Sequence, residues 1–238
     1  MIKEHEFNSR WWGTPVGIVT DAQFFELPLE DQTKLLSKFD WVEYRMASIE
    51  EHLGPSLVRS GFYCADVQIH FRVKLSRIEG SQCFSSLNVY QADKREIVLE
   101  PSDIKQFRSE RFRTLPNISP EKIEERYLLW SRTLVAESPE TALSIYHGEK
   151  CQGWFLSEVR QGVLDLTLAM LSSQAAVSGH TLYEKAIDHY ASCGFRIGQG
   201  SFSVHNMNVL NIYSALGARF SAPQSYWFWV GESANREC

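Results

Sequence analysis

The densest grouping of residues with chemical use is Gln174-Ala-Ala-Val177-Ser178-Gly179-His180. A glycine-bearing loop that feeds an amphipathic helix leaves the first backbone N–H groups of that helix without intrahelical partners. Together with the helix dipole, such a terminus holds an anion, a diphosphate included, without cationic side chains. A second grouping runs from Asn206 through Tyr213 to Leu216-Gly217, an Asn cap and a Gly stop around one phenol. Other chemistries lack their residues. There is no CxxC, HExxH or HxH spacing, no GKS or GKT loop and no GxSxG elbow. Gly198-Gln-Gly200 lacks the final glycine of a dinucleotide fingerprint and lies inside a strand-like run. His180 and Glu184, four apart, read as a solvated helical pair in preference to a metal edge.

These groups must be positioned by alternating strands and helices. Residues 40–46 and 63–75 read as strands, the second with Val67, Ile69, Phe71, Val73 and Leu75 at period two. Between them, Ser48, Glu50 and Glu51 open a helix that ends near Gly61, with Pro55 early in it. The polar stretch 76–100 reads as a connection. Helices are predicted from Pro101-Ser102-Asp103 and from Ser119-Pro120-Glu121, the latter with proline and acidic residues suited to a helix start. Three β-like runs follow at 141–147, 151–159 and 163–171, with turn residues between them. Leu182, Tyr183, Ala186, Ile187, Tyr190 and Cys193 make one face of a helix over 180–193, which Gly194 stops. A strand at 195–204, a short helix capped by Asn206 and a last strand at 226–230 come next.

The 238 residues are 44% hydrophobic, 22% charged and 13% aromatic, which excludes a disordered or fibrous chain and supplies bulk for a core. Length sets the expectation between one domain and two. A net charge of −5 and a pI near 5.8 argue against nucleic acid or a membrane surface as partner. No apolar run approaches the roughly 18 residues of a membrane span. The polar start Met1-Ile-Lys-Glu-His-Glu6 does not read as a signal peptide, so a cytoplasmic location is expected. Cysteines at 64, 83, 151, 193 and 238 read as buried thiols in a reducing compartment, with no disulfide framework and no metal site.

The order of elements, with Asn206-Met-Asn-Val209-Leu-Asn-Ile212-Tyr213-Ser-Ala-Leu216-Gly217-Ala218-Arg-Phe220, resembles the GNAT superfamily of acyl-CoA N-acyltransferases. The segment is similar to that family's Asn-x-x-Ala-x-x-x-Tyr-x-x-Leu-Gly-Phe pattern, with Val209 for alanine and Gly-Ala-Arg-Phe for Gly-Phe. Gln174 to Gly179 is similar to its pyrophosphate loop, Gln/Arg-x-x-Gly-x-Gly/Ala. Val177 departs from it, because a β-branched residue there tolerates positive φ poorly. The resemblance implies an α/β (α+β) GNAT fold with a mixed, largely antiparallel central sheet flanked by helices. A smaller N-terminal α/β module over 1–95 would precede an acyltransferase domain over 96–238. A narrower likeness, through Phe7-Asn-Ser-Arg-Trp11-Trp12-Gly13, Arg111-Phe112-Arg113 and Tyr226-Trp-Phe-Trp, is to the bacterial TDP-fucosamine acetyltransferase type.

That resemblance implies acyl-CoA as co-substrate, acetyl or a longer chain such as 3-hydroxybutyryl. Tyr213 would be the general acid for the departing thiolate, since a phenol with a pKa of about 10 is protonated at neutral pH. A main-chain N–H of Ala169-Met170-Leu171 would polarise the thioester carbonyl, and the rest of that strand edge would pair with the pantetheine arm. Amides around Val177, Ser178, Gly179 and His180 would take the diphosphate, with Gln174 and Asn206 nearby. His205 is a candidate base or a structural cap, and Glu158 a further group facing the acceptor. The implied acceptor is a dTDP-linked amino dideoxysugar of surface polysaccharide (O-antigen, lipopolysaccharide) biosynthesis. Trp11 and Trp12 would stack on its base and Arg111 and Arg113 would grip its diphosphate. The same tryptophans equally read as core packing and the arginines as a solvated helix face. A protein, polyamine or antibiotic amine is the alternative acceptor, and a catalytically silent CoA-binding sensor the alternative function. The aromatic C-terminal strand and exposed N-terminal tryptophans would leave room for a homodimer.

Overall fold

Strand pairing between residues far apart in sequence decides how this chain divides. A computed structural model describes residues 1–76, 86–104 and 110–232. In chain order the elements are β1 (Ile2–Glu4), α1 (Glu6–Trp12), β2 (Val16–Val19), α2 (Leu29–Leu36), β3 (Trp41–Ala47), α3 (Gly54–Arg59) and β4 (Tyr63–Lys74). Then come β5 (Leu87–Gln91), α4 (Pro101–Ile104), α5 (Pro120–Glu137), β6 (Ala142–His147), β7 (Lys150–Arg160) and β8 (Val163–Leu171). The series continues with α6 (Gly179–Ser192), β9 (Ile197–Ser203), α7 (Met207–Ala215), β10 (Arg219–Phe220) and β11 (Gln224–Val230). The fold is mixed α/β, an open and largely antiparallel sheet flanked by helices, with β2–β3 and β8–β9 pairing in parallel.

One compact unit comprises the described residues of Met1–Ile69, Ser109–Ile123 and Ala222–Cys238. Its strand order is β1-β2-β3-β11-β4, with β11 antiparallel to both neighbours, so that Phe228 lies opposite Glu43 on one side and Tyr63 on the other. A division at residues 95 and 96 follows the chain, whereas these units are discontinuous because β11 returns to strands laid down over a hundred residues earlier. On one face of the sheet Val42, Tyr44 and Met46 pack with Phe24, Phe25, Leu36, Leu57 and Phe62. The other face carries an aromatic cluster in which Trp41 lies 5.2 Å from Phe228 and Phe112 5.2 Å from Trp11, ring centre to ring centre. Tilted and edge-to-face geometries of this kind suit the aromatic quadrupole. β11 is therefore an interior strand with Tyr226 and Phe228 buried and Trp227 and Trp229 half-buried, and of the N-terminal pair Trp11 is buried and Trp12 half-buried.

The helix expected from Ser48 to Gly61 begins as a 3-10 turn over Ser48–Leu53 and becomes α-helical at α3. Pro55 explains the change: it has no N–H to donate and fits only the first turn.

The other unit comprises the described residues of His70–Arg108 and Glu124–Ser221. Its order is β4-β9-β8-β7-β6-β5, with the later residues of β4 at its edge and β10 paired to them. β5 lies in the stretch expected to be a connection. Its register on β6, Leu87 to His147 through Gln91 to Leu143, buries Leu87 at the sheet edge. α6 forms as its periodicity predicts. Ser178 caps it by accepting from the Thr181 N–H, and Leu182, Tyr183, Ala186, Ile187 and Tyr190 are buried against Leu143, Ile145 and Phe155 of the sheet. Each such side chain contributes about 1.5–3 kcal/mol when fully buried. The Tyr190 hydroxyl lies 2.7 Å from the Thr141 carbonyl and 3.0 Å from Ser157 Oγ, which fixes the helix on β7.

The cysteines depart from expectation. Cys64 and Cys193 are exposed free thiols and Cys151 is half-buried, while Cys83 and Cys238 lie outside the described residues, as does the continuation of the helix expected beyond residue 104. No described helix is long and apolar enough to cross a membrane, and no group of three or more His, Cys, Asp or Glu among the described residues could hold a metal ion.

Candidate functional site

The site begins with an irregularity in β8. Leu156 pairs with Leu168 and Glu158 with Asp165, so β8 places Leu166 and Thr167 opposite Ser157 alone. This is a bulge, and it switches which face the following side chains occupy. Leu164 and Leu166 before it, and Ala169 and Leu171 after it, all meet the same apolar cluster. β9 pairs with β8 through Gly198 and Gln199, opposite Leu164 and Asp165. A Cβ on Gly198 would lie 2.6 Å from Leu166 Cδ1, and one on Gly200 3.0 Å from the Leu166 carbonyl oxygen. These strand glycines let β9 hug β8 up to the bulge. Beyond it no ladder pair joins the two among the described residues, so β8 from Thr167 to Leu171 has an edge without a partner strand. In an antiparallel partner of β7, alternate backbone groups there point to that edge.

The loop after β8 is tied down from below and open above. The Ser172 N–H donates to the Gln152 carbonyl at 2.9 Å, the Ala175 N–H to the Ser172 carbonyl at 3.0 Å, and the Gln174 N–H to Ser172 Oγ at 3.2 Å. The Ala176 N–H donates to Gln152 Oε1 at 2.8 Å. The next four amides, of Val177, Ser178, Gly179 and His180, make no hydrogen bond to any described residue. They open a helix of 14 residues whose dipole favours negative charge at that end. These are the amides the sequence singled out.

Val177 does not have the positive φ that made it awkward; among described non-glycine residues only Asn117 and Gln161 do. It stands immediately before the Ser178 cap and packs with Leu182 in one cluster, the arrangement of a hydrophobic staple. A Cβ on Gly179 would meet Ile212 Cδ1 of α7 at 3.4 Å, an ordinary van der Waals contact. His180 Nδ1 lies 3.3 Å from Glu184 Oε2, as the spacing predicted.

Tyr213 is the buried residue of α7 and 3% exposed. Its ring centre lies 3.8 Å from that of Phe71, 5.3 Å from Tyr183 and 6.0 Å from Phe202. Its hydroxyl makes no hydrogen bond to a described residue. Burial pushes the phenol well above its ordinary pKa, with the neighbouring Tyr183 and Tyr190 adding to the effect. Asn206 Oδ1 accepts from the Val209 N–H at 3.3 Å and so caps α7. His205, just before it, has an exposed side chain and a backbone N–H held by Ser203 Oγ at 3.2 Å. Glu158 is engaged by Arg160 at 2.7 Å beside the bulge, where Asp165 also lies 3.6 Å from Arg160.

The candidates in the other unit are held by internal partners. Trp11 Nε1 donates to the Lys122 carbonyl at 2.7 Å, and Trp12 Nε1 to Asp40 Oδ2 at 3.2 Å. Arg111 Nε lies 3.4 Å from Glu43 Oε2, and its guanidinium sits 4.5 Å above the rings of both Phe112 and Tyr226. Arg45 holds the other Glu43 oxygen at 2.5 Å. Glu43 is fully buried. Burial alone would raise its carboxyl, and the charges of Arg111 and Arg45 outweigh that and hold it below the ordinary range. Arg111 is thus neither on a solvated face nor an unengaged cation; Arg113, two residues on, is exposed.

Sequence reasoning missed Gln152, the bulge at Leu166–Thr167 and the roles of Gly198 and Gly200. Two glycines inside a strand-like run were a signal of close backbone approach; a glutamine amid apolar residues carried none.

Solved structures match this architecture along nearly the whole chain. A GCN5-related N-acetyltransferase from Sphaerobacter thermophilus is 9% identical, with a TM-score of 0.60, over 100% of this chain and 77% of its own. A tandem GNAT protein from the clavulanic acid biosynthesis pathway, solved without AcCoA, is 10% identical with a TM-score of 0.54, over 95% and 77%. A GCN5-related N-acetyltransferase from Kribbella flavida is 13% identical with a TM-score of 0.54, over 91% and 82%. The fold is therefore that of the GCN5-related N-acetyltransferases. No family model matches the sequence, and no curated protein does.

Proposed function

We propose that this chain is an acyl-CoA-dependent N-acyltransferase whose chemistry resides in the unit built on β8, α6 and α7. One observation carries the reading: four consecutive amides, Val177 to His180, without a hydrogen bond to any described residue, lie one short loop beyond a strand edge that has no partner among the described residues. The amides bind the CoA diphosphate, and the open edge of β8 pairs with the pantetheine arm. An N–H within Ala169–Leu171 donates a hydrogen bond to the thioester oxygen and stabilises the negative charge that grows on it. The acceptor nitrogen bonds to the carbonyl carbon, the carbon–sulfur bond breaks, and Tyr213 gives its hydroxyl proton to the leaving thiolate and regains one from solvent once the thiol has left. The amine proton passes to solvent or to His205, the base we assign, whose imidazole lies exposed beside the α7 cap. Val177, with an ordinary backbone and a packing role, gives no reason to regard the fold as silent.

For the acceptor we propose a dTDP-linked amino dideoxysugar, supported by the chain-long resemblance, with an acetyl or 3-hydroxybutyryl donor. Trp11 and Arg111 have internal partners, which favours a second reading in which the acceptor is a different amine, on a protein, a polyamine or an antibiotic. Thermal shift and turnover separate these. CoA at about 100 times its Kd should add about 2.7 kcal/mol of stability. dTDP should add stabilisation only under the sugar-nucleotide reading, and a panel of dTDP-amino sugars, polyamines and peptides offered with both donors identifies the acceptor. Absence of any CoA stabilisation would overturn the reading as a whole.

A further inference from the structure

We infer that Gln152 is a positioning residue for the anion-binding amides; the inference rests on the acyl-CoA reading and adds a residue to it. Gln152 lies on β7, one strand away from the loop it holds, and is 1% exposed. A buried glutamine must satisfy both ends of its amide, or each end costs free energy. Here Oε1 accepts from the Ala176 N–H at 2.8 Å and Nε2 donates to the Lys150 carbonyl at 3.0 Å. Its main-chain carbonyl accepts from Ser172 at 2.9 Å. One residue therefore grips the loop where it leaves β8 and again immediately before the four open amides.

The neighbouring Gly153 adds an independent constraint. A Cβ on it would stand 2.2 Å from the Met170 carbonyl oxygen and 3.1 Å from the Leu171 Cα. Only glycine lets β7 come this close to the end of β8, and that closeness is what brings the Gln152 side chain within reach of Ala176. The pair Gln152-Gly153 sets the height of the loop and the aim of its N–H groups. Gln152 does not touch the reacting atoms, so it acts on affinity for the diphosphate and leaves the chemical step alone.

The test compares Gln152→Leu with wild type on two probes, CoA and S-acetylpantetheine, which lacks the diphosphate. Losing the Ala176 anchor should weaken CoA by about tenfold, the worth of one hydrogen bond. S-acetylpantetheine affinity and kcat at saturating acetyl-CoA should stay within about twofold of wild type. Equal CoA affinity in the two proteins overturns the role of Gln152 and leaves the acyl-CoA reading standing. An equal loss on both probes also overturns it, since the effect would then not pass through the diphosphate. Wild-type protein that binds no CoA overturns the acyl-CoA reading itself. Should the leucine variant fail to fold, amide hydrogen exchange on wild type decides. The Ala176 amide should exchange at least about tenfold more slowly than those of Val177 to His180. Equal rates would mean that no anchor operates.

Discussion

The loop that opens α6 and the cluster around Glu43 both contain groups able to hold an anion, and they differ in whether those groups are already engaged. Around Glu43, Arg45 and Arg111 face a buried carboxylate and the Trp11 and Trp12 N–H groups donate to Lys122 and Asp40; the Trp41 indole N–H is buried without a hydrogen bond to a described residue. Four backbone donors at the start of α6, and the Tyr213 hydroxyl on α7, make no hydrogen bond to any described residue. Charge and aromatic content mark the first region as the more eye-catching in sequence. Hydrogen-bond satisfaction marks the second as the region whose donors are open to an anion. Amides at a solvent-facing helix start exchange only water for a ligand, whereas a satisfied ion pair must be broken before it can serve another anion.

The contrast breaks most sharply at Tyr213. Tyr213→Phe removes a hydroxyl that bonds to nothing described and keeps the ring against Phe71. The expected result is a fall in kcat of roughly 10²–10⁴-fold with an almost unchanged melting temperature. Because burial raises the phenol pKa, its proton is lost only above the ordinary phenol range, so wild-type kcat should show no decline from this group below about pH 10. Retained turnover in the phenylalanine variant, measured where chemistry limits the rate, would make Tyr213 a core residue only.

Arg111→Ala should do the reverse. It strips one partner from a fully buried carboxylate and should cost about 3 kcal/mol of stability by denaturant titration, with CoA affinity unchanged. The same pair predicts a smaller pH effect. The folded-state pKa of Glu43 is depressed, so the stability it contributes is present above the ordinary glutamate pKa near 4.3 and is lost as pH falls through the lower folded value. Stability that stays level through that acid window would show that the guanidinium charges do not outweigh the burial.

Much of this was legible from local sequence. The apolar face of α6, the Ser178 and Asn206 caps, the meander of β6 to β8 and the four amides follow from periodicity and cap residues that act over one or two turns. The remainder depends on contacts that no local pattern encodes. β11 sits between β3 and β4, and Arg111 meets Glu43 across 68 residues of chain. Gln152 finds Ala176 24 residues on, and the bulge in β8 exists only relative to β7. β5, a five-residue edge strand in a polar stretch, was too short to stand out. Val177 is the instructive residue: its type suggested a distorted loop, while its position before a cap made it a staple.

The central claim, that the amides opening α6 hold the CoA diphosphate, is tested most directly by residue-resolved amide hydrogen exchange with and without CoA. Protection should appear at Val177, Ser178, Gly179 and His180 on adding CoA, with no change around Glu43 and Arg111. Exchange at residues 177–180 that CoA leaves untouched, or protection that appears instead at residues 43–45 and 111–113, would contradict the account.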